Sequence, residues 1–415
     1  MAQIPQTLKG FRDFLPQEKR ARDFVAGKII ETFERFGFEP IETPTLEYAA
    51  LLLGKYGDEA DKLVYTFTDR GNREVGLRYD QTVPTARLLA QNQESLPKYF
   101  RRYQIQNVFR ADKPQRGRYR EFTQCDADIF GSTSPLSDAE ILSVFYAIYA
   151  DLGLDKIVIE VNDRETLIQS LNPFVTSNID VYSIIQSIDK LDKIPAELVI
   201  SELIEKGLPS KSAAEALETI RSAPSSLNLK KIIKAAVSLG IPESNLLYRP
   251  TLARGLDYYT GLIFEAKFGD SGSSLGGGGR YDNLIQSLSG LSVPAVGFGL
   301  GFDRTVETLE ENNLISIKPS ATKVMVTVFN ESTESDSLKI VRLLRTMNIN
   351  TELYPSAKDK LVKQFKYADT KHIPQVIIIG PEEIAAKTVT VKSMNTGKSV
   401  TTPQNQLIST LLKLE

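Results

Sequence analysis

From Phe122 to Phe130 the chain alternates with a period of two. Phe122, Gln124, Asp126, Asp128 and Phe130 fall on one face, and Thr123, Cys125, Ala127 and Ile129 on the other. The pattern predicts a strand with one small apolar face and one face that holds carboxylates. Tyr103 to Arg110 alternates less cleanly and ends in Val108-Phe109, and Lys113, Pro114, Arg116, Gly117 and Arg118 lie between the two runs. The prediction is a strand, a basic loop and a returning strand. Residues 17–36 change to helical spacing, with Phe24, Ile29, Ile30, Phe33 and Phe36 on the apolar side and Gly37 as the stop. Pro40 and Pro44 then impose an extended, kinked strand. Leu63–Thr68 and Glu74–Leu77 predict a hairpin about the turn residues Asp69 to Arg73, and a helix carrying Arg87, Leu88 and Leu89 follows.

Ser137–Tyr149 predicts a helix and Lys156–Val161 a strand, ended by Asn162-Asp163-Arg164. From about Glu165 to Glu243 the spacing is that of short amphipathic helices broken at Pro173, Pro195, Pro209 and Pro224, which reads as a helical insertion. An apolar strand begins within Leu252–Phe264. Residues 313–321 read as a linker. Beyond them strands (323–329, 350–354, 375–379 and a further pair) alternate with helices (338–347, 360–368), the signature of an α/β domain with a mixed sheet.

A chain of 415 residues is long enough for two or three domains. Its net charge of −2 provides no overall basic field for a nucleic acid. The charge is uneven, +4 from Ser320 onward against −6 before it, and Lys358, Lys360, Lys363, Lys366 and Lys371 are bunched. That bunching fits a solvated helix face or a phosphate contact. A single cysteine, Cys125, excludes an internal disulfide and a cysteine-rich metal site, and suits small-residue packing in a reducing compartment. A single histidine, His372, lies in TKHIP before a strand, where a helix end or surface role is expected, so histidine-based triads and two-histidine zinc sites are excluded. No run approaches the ~20 apolar residues of a membrane span and the N-terminus has no signal-peptide core, so a cytoplasmic protein is expected.

The chemistry-bearing residues cluster. Arg110 and the basic loop favour an anion, because guanidinium binds phosphate oxygens bidentately and keeps its charge. Asp80 and Thr82 suit either an ammonium or the capping of the helix that follows. Arg254, Asp257, Tyr258 and Tyr259 bunch in RGLDYYTG. Gly276–Gly279 permits a flexible loop or close backbone approach to a ligand. Neither it nor GFGLG ends as a P-loop does, and Gly297–Gly301 lacks the dinucleotide spacing.

These strings, in this order, resemble the class II aminoacyl-tRNA synthetases, and the histidyl-tRNA synthetase family in particular. FRADKPQRGRYREFTQCDADIFG is similar to motif 2, the helix and kinked strand near residues 17–47 to motif 1, and VGFGLGFDR to motif 3; many relatives carry alanine where Gly299 stands. RGLDYYTG and GGRYDNL resemble the two histidine-specific motifs, and KQFKYADTKHIPQVIIIG the anticodon-binding domain. The implied fold is α+β: an antiparallel class II sheet with flanking helices and a helical insertion, then a C-terminal α/β anticodon-binding domain. The implied domains are a catalytic domain in two parts (1–164 and 247–312), the insertion (165–246), the linker (313–321) and the anticodon domain (322–415).

The resemblance implies that histidine and ATP give histidyl-adenylate and pyrophosphate, and that histidine then passes to the terminal adenosine of tRNA(His), in a homodimer. Arg110 and Arg254 would act around the α-phosphate, Arg118 and Arg304 on the β- and γ-phosphates bridged by Mg²⁺. Asp80, Thr82 and Gln124 would hold the amino-acid backbone, Arg254 also its carboxylate, and Asp128, Tyr258, Tyr259 and Tyr281 would line the imidazole pocket. The commoner residue is Glu where Asp80 and Asp128 stand. Two rival readings are the regulatory subunit of ATP phosphoribosyltransferase, which usually departs in RGLDYYTG and lacks the last domain, and a plain nucleic-acid-binding module, which leaves the arginines without purpose.

Overall fold

A computed structural model describes residues 4–53, 63–113, 119–192, 194–254, 258–269 and 274–414. They form two compact units, one of residues up to Phe14 and Ala21–Ile315, the other of Leu15–Arg20 and Ser316–Glu415. Among the described residues, no helix is long and apolar enough to cross a membrane.

In chain order the strands of the first unit are β1 (Glu39–Pro40), β2 (Leu46–Tyr48), β3 (Thr66–Thr68), β4 (Glu74–Leu77), β5 (Phe100–Phe109) and β6 (Glu121–Phe130). They continue as β7 (Val158–Asp163), β8 (Leu246–Tyr248), β9 (Leu262–Lys267), β10 (Ser274–Arg280) and β11 (Ala295–Gly301). Eight of them build the main sheet in the order β1-β5-β6-β11-β10-β9-β7-β8, parallel only at its two edges. β2, β4 and β3 make a small antiparallel sheet of their own.

The sheet's two faces differ because side chains alternate across it. Cys125, Ala127 and Ile129 of β6 share a face with Val296, Phe298 and Leu300 of β11 and Phe264 and Ala266 of β9, all buried in one apolar core. The helices Pro16–Arg35 and Pro135–Asp151 cover it, with Phe145 within 4.7 Å of Phe298 and 5.2 Å of Phe264, ring centre to ring centre. Truncating such a residue to alanine costs about 3–5 kcal/mol. Ser134 caps the second helix by accepting from Leu136 N, and Pro135 takes its first position, where no donor is needed. The opposite face carries Gln124, Asp126 and Asp128.

Several elements differ from their sequence-based expectation. The kinked strand at Pro40 and Pro44 survives only as β1 and β2, because proline cannot donate to a ladder. Phe24 is exposed at 45 %, and Ala21, Val25, Ile29 and Phe33 form the buried stripe instead. β7 runs on through Asn162 and Asp163, and Asp163 caps the helix Arg164–Leu171 by accepting from Glu165 N. Gly276–Gly279 lies within β10, an interior strand, so the loop alternative falls. Among the described residues between β7 and β8, five α-helices (164–171, 181–188, 196–205, 210–221, 227–238) make the insertion.

The second unit holds β12 (Val324–Val326), β13 (Thr351–Leu353), β14 (Gln375–Ile378), β15 (Thr388–Ser393) and β16 (Ser399–Pro403) in the order β13-β12-β14-β15-β16. Its first three strands are parallel and its last two antiparallel, a mixed sheet. His372 is exposed at φ +52°, just past the helix Leu361–Thr370.

Candidate active site

On its β11 side the carboxylate face of β6 is bordered by backbone that has no side chains to oppose it. Register pairs Asp128 with Gly297 and Asp126 with Gly299 on β11, and these pair in turn with Gly279 and Gly277 on β10. The result is a glycine floor across two strands. Its absent side chains leave room that other residues fill. A Cβ on Gly277 would lie 1.8 Å from Arg254 Nη1, one on Gly279 2.8 Å from the Tyr259 ring, and one on Gly297 1.8 Å from Asp128 Oδ1. These glycines therefore let a guanidinium, a phenol ring and a carboxylate lie directly on the backbone of the sheet.

On one side of the floor stands β5, paired with β6 so that Arg102 faces Asp128, Gln104 faces Asp126 and Gln106 faces Gln124. Arg102 is buried and forms an ion pair with Asp128 Oδ2 at 2.5 Å. The Tyr281 hydroxyl donates a hydrogen bond to Asp128 Oδ1. Burial raises the Asp128 pKa, while the Arg102 charge and the Tyr281 donor act against it. Burial and the Asp128 charge push the Tyr281 phenol well up, so it remains a donor. Tyr258 packs 4.6 Å from Tyr259 and 6.0 Å from Tyr281, ring centre to ring centre, completing an aromatic wall beside Asp128.

Asp80 and Thr82 open the helix Thr82–Gln91, and Asp80 Oδ1 accepts from Val83 N at 3.1 Å, so the capping role is real. Burial also raises the Asp80 carboxyl to about 6, against the pull of Arg110 and Arg102. Gln81 reaches across the hairpin, donating from Nε2 to Gln106 O and Gln124 O. Arg110 donates to Tyr79 O at 3.0 Å and lies 5.0 Å from the centre of the Phe122 ring. Arg254 is held in the left-handed region at φ +48° and donates from Nη1 to Phe264 O at 2.9 Å. Such a backbone costs about 1–3 kcal/mol and marks a place where position matters more than ease. Arg304 is exposed in the first turn of the helix Phe302–Glu311 and donates to Ser274 O.

The structure thus brings together Asp80, Arg110, Gln124, Asp128, Arg254, Tyr258, Tyr259 and Tyr281 around the glycine floor, with Arg304 at its β10 end. Arg118 and Asp257, with most of the basic loop (114–118), lie outside the described residues. Sequence reasoning missed Arg102, Gln81 and Gln104. Arg102 fell just before the predicted strand, and only hairpin register reveals that it opposes Asp128. Asp303 was also missed. It accepts from Arg12 and Arg22 at 2.6 Å each and from Thr123 N at 3.2 Å, tying the Arg304 helix to β6.

A family model described as histidyl-tRNA synthetase matches residues 10–305, and one described as anticodon binding domain matches residues 323–414. The chain is 40 % identical to a histidine–tRNA ligase of Wolinella succinogenes over 95 % of its own length and 94 % of the relative's. It is 38 % identical to that of Rhodopirellula baltica, again over 95 % and 94 %. Among solved structures, a histidyl-tRNA synthetase from Nostoc superposes with a TM-score of 0.83 at 28 % identity, covering 98 % of this chain and 99 % of that one.

Proposed function

The chain belongs to the histidyl-tRNA synthetase family, whose ATP-dependent ligase reaction charges tRNA(His) with histidine, and from that premise we propose how its own residues divide the work. The observation that carries the assignment is the glycine floor bearing Arg254 on one side and the Asp128–Tyr281–Arg102 cluster on the other.

Histidine lies over the floor with its imidazole against the tyrosine wall. A neutral imidazole has one donor and one acceptor. Asp128, fixed by Arg102 and Tyr281 and still holding acceptor capacity, takes the donor, and the Tyr259 hydroxyl satisfies the other nitrogen. The ammonium is held by Asp80, Thr82 and Gln124. A carboxylate oxygen of histidine then attacks the α-phosphorus of ATP; the new O–P bond forms as the bond to the β,γ-pyrophosphate breaks. Arg110 and Arg254 stabilise charge growing on the α-phosphoryl oxygens, and Arg118 and Arg304 hold the leaving pyrophosphate. Mg²⁺ brought in with the nucleotide would neutralise charge on the β- and γ-phosphates that Arg118 and Arg304 hold. Positioning replaces a protein nucleophile in this chemistry. In the second step the terminal adenosine hydroxyl of tRNA attacks the acyl carbon and AMP leaves.

The domains follow the same division: catalytic residues 1–164 and 247–312, an insertion at 165–246 beside the acceptor arm, a linker at 313–321 and the anticodon domain at 322–415. The enzyme works in the cytoplasm and as a homodimer; the exposed Leu46, Tyr48 and Phe67 of the small sheet support the second of these readings. The test is exchange of labelled pyrophosphate into ATP. It should require histidine and Mg²⁺, and a site built to pair both ring nitrogens should reject phenylalanine by roughly 10⁴- to 10⁵-fold. Equal exchange with phenylalanine overturns the pocket.

A further inference from the structure

We propose that Asp126, to which neither the motifs nor the family resemblance assigns a part, is a positioning residue that orients the Gln124 carboxamide toward the ammonium of the amino acid. The inference rests on the reading of Gln124 given above. Gln124 Nε2 donates to Asp126 Oδ2 at 2.7 Å. A carboxylate only accepts, so this contact selects the amide nitrogen and turns Gln124 Oε1 away from Asp126, free to accept from a cation. Without it the amide has two orientations of similar shape, one of which presents N–H to the ammonium.

The residue is itself held firmly. Asp126 is 4 % exposed, lies on the substrate face of β6, and is flanked by Gln104 on β5 and Gly299 on β11. A Cβ on Gly299 would stand 3.1 Å from Asp126 Oδ1, so the bare backbone of the floor is what this oxygen faces. Oδ1 has no hydrogen-bond partner among the described residues. The main chain of Gln124 is tethered as well, since Gln81 Nε2 donates to its carbonyl at 2.9 Å. Gln124 is therefore fixed at both ends, and Asp126 supplies the end that sets its polarity. The charged groups facing Asp126 are Arg102 from β5, Asp128 from its own strand and Asp80 from the turn before the helix Thr82–Gln91. Burial, with Asp128 and Asp80 adding to it and Arg102 and Gln124 opposing it, brings the carboxyl to about 7. Comparison at pH 8 therefore reads the ionised form.

The experiment uses the full chain and histidine-dependent pyrophosphate exchange at pH 8, with imidazolepropionate, which lacks the ammonium, as a competitive probe. Asp126→Ala should raise the histidine KM by at least the roughly 2-fold that two equally populated amide orientations impose, and by no more than the roughly 10- to 100-fold of a lost hydrogen bond to a charged group. The KM for ATP and the inhibition constant of imidazolepropionate should not move. In a Gln124→Ala background the same substitution should add nothing. Asp126→Asn, which keeps the volume and one acceptor, should recover part of the loss, and it carries the comparison if the alanine variant does not fold. Equal weakening of histidine and imidazolepropionate, or additive effects of the two substitutions, overturns the proposal. Exchange that depends on Gln124 but is indifferent to Asp126 overturns this inference alone. Exchange indifferent to Gln124→Ala overturns the reading of Gln124 beneath it.

Discussion

Gly297 and Gly299 stand two residues apart on one face of β11, and their surroundings set what each tolerates. A Cβ at 297 meets Asp128 Oδ1 at 1.8 Å and the Ala127 carbonyl at 2.6 Å, one of them backbone that cannot move aside. At 299 it meets only the Asp126 carboxyl, Oδ1 at 3.1 Å and Cγ at 4.0 Å. Gly297→Ala should therefore lower the melting temperature, by an overpacking cost of about 1–3 kcal/mol or more, and displace Asp128 so that the histidine KM rises. Gly299→Ala should be milder in both measurements, and the reverse ranking would show that the floor is not what holds Asp128. Arg254 is the residue whose loss should hurt chemistry most. Removing a stabiliser of transition-state charge costs about 10²- to 10³-fold, so Arg254→Ala should slow single-turnover adenylate formation by that factor while partial ATP binding survives through Arg304. Near-normal activation would remove Arg254 from the α-phosphate.

At the scale of elements, the β5–β6 hairpin shows both the reach and the limit of the sequence. The period of two from Phe122 to Phe130 declared β6 and its two faces, because alternation is a property of one strand alone. Arg102 opposite Asp128 is a property of register between strands, and nothing near Arg102 announces it. The glycine run of β10 was ambiguous for a different reason: residues without side chains carry no period, so loop and strand read alike until their neighbours are known. The hairpin also buries more acid than it neutralises. The folded Asp126 carboxyl lies at about 7, above the unfolded value of about 3.9. Between these values the folded state binds a proton that the unfolded state does not, so stability present below the lower value is lost as pH rises to the upper. Asp126→Asn removes the charge without the volume. Its melting temperature relative to the parent should climb from pH 5 to pH 7 and level off above pH 8, a gain on the order of a few kcal/mol at the plateau. A difference that is flat across this range would mean the carboxyl is already ionised in the acid range.

For the whole molecule, order along the chain was legible because each motif occurs once and in sequence, whereas the part played by the second unit depends on charge that composition only hints at. Its excess of +4 is small against −6 in the rest of the chain, so an effect on tRNA has to come from local clustering. Lys360 and Lys366 are exposed at the start and middle of the helix Leu361–Thr370, whereas Lys363 is paired with Asp359 and Lys371 with Glu352. Cations that meet phosphate release counterions, so each contact steepens the fall of affinity with salt by a slope of about 0.7 to 0.9. Raising salt should accordingly weaken charging of tRNA(His) much more than histidine-dependent pyrophosphate exchange, which needs no polyanion. Lys360→Glu combined with Lys366→Glu should raise the KM for tRNA and flatten its salt dependence, with exchange unchanged. The two lysines are a solvated helix face and no more if the double variant charges tRNA with the parent's KM and the parent's salt slope.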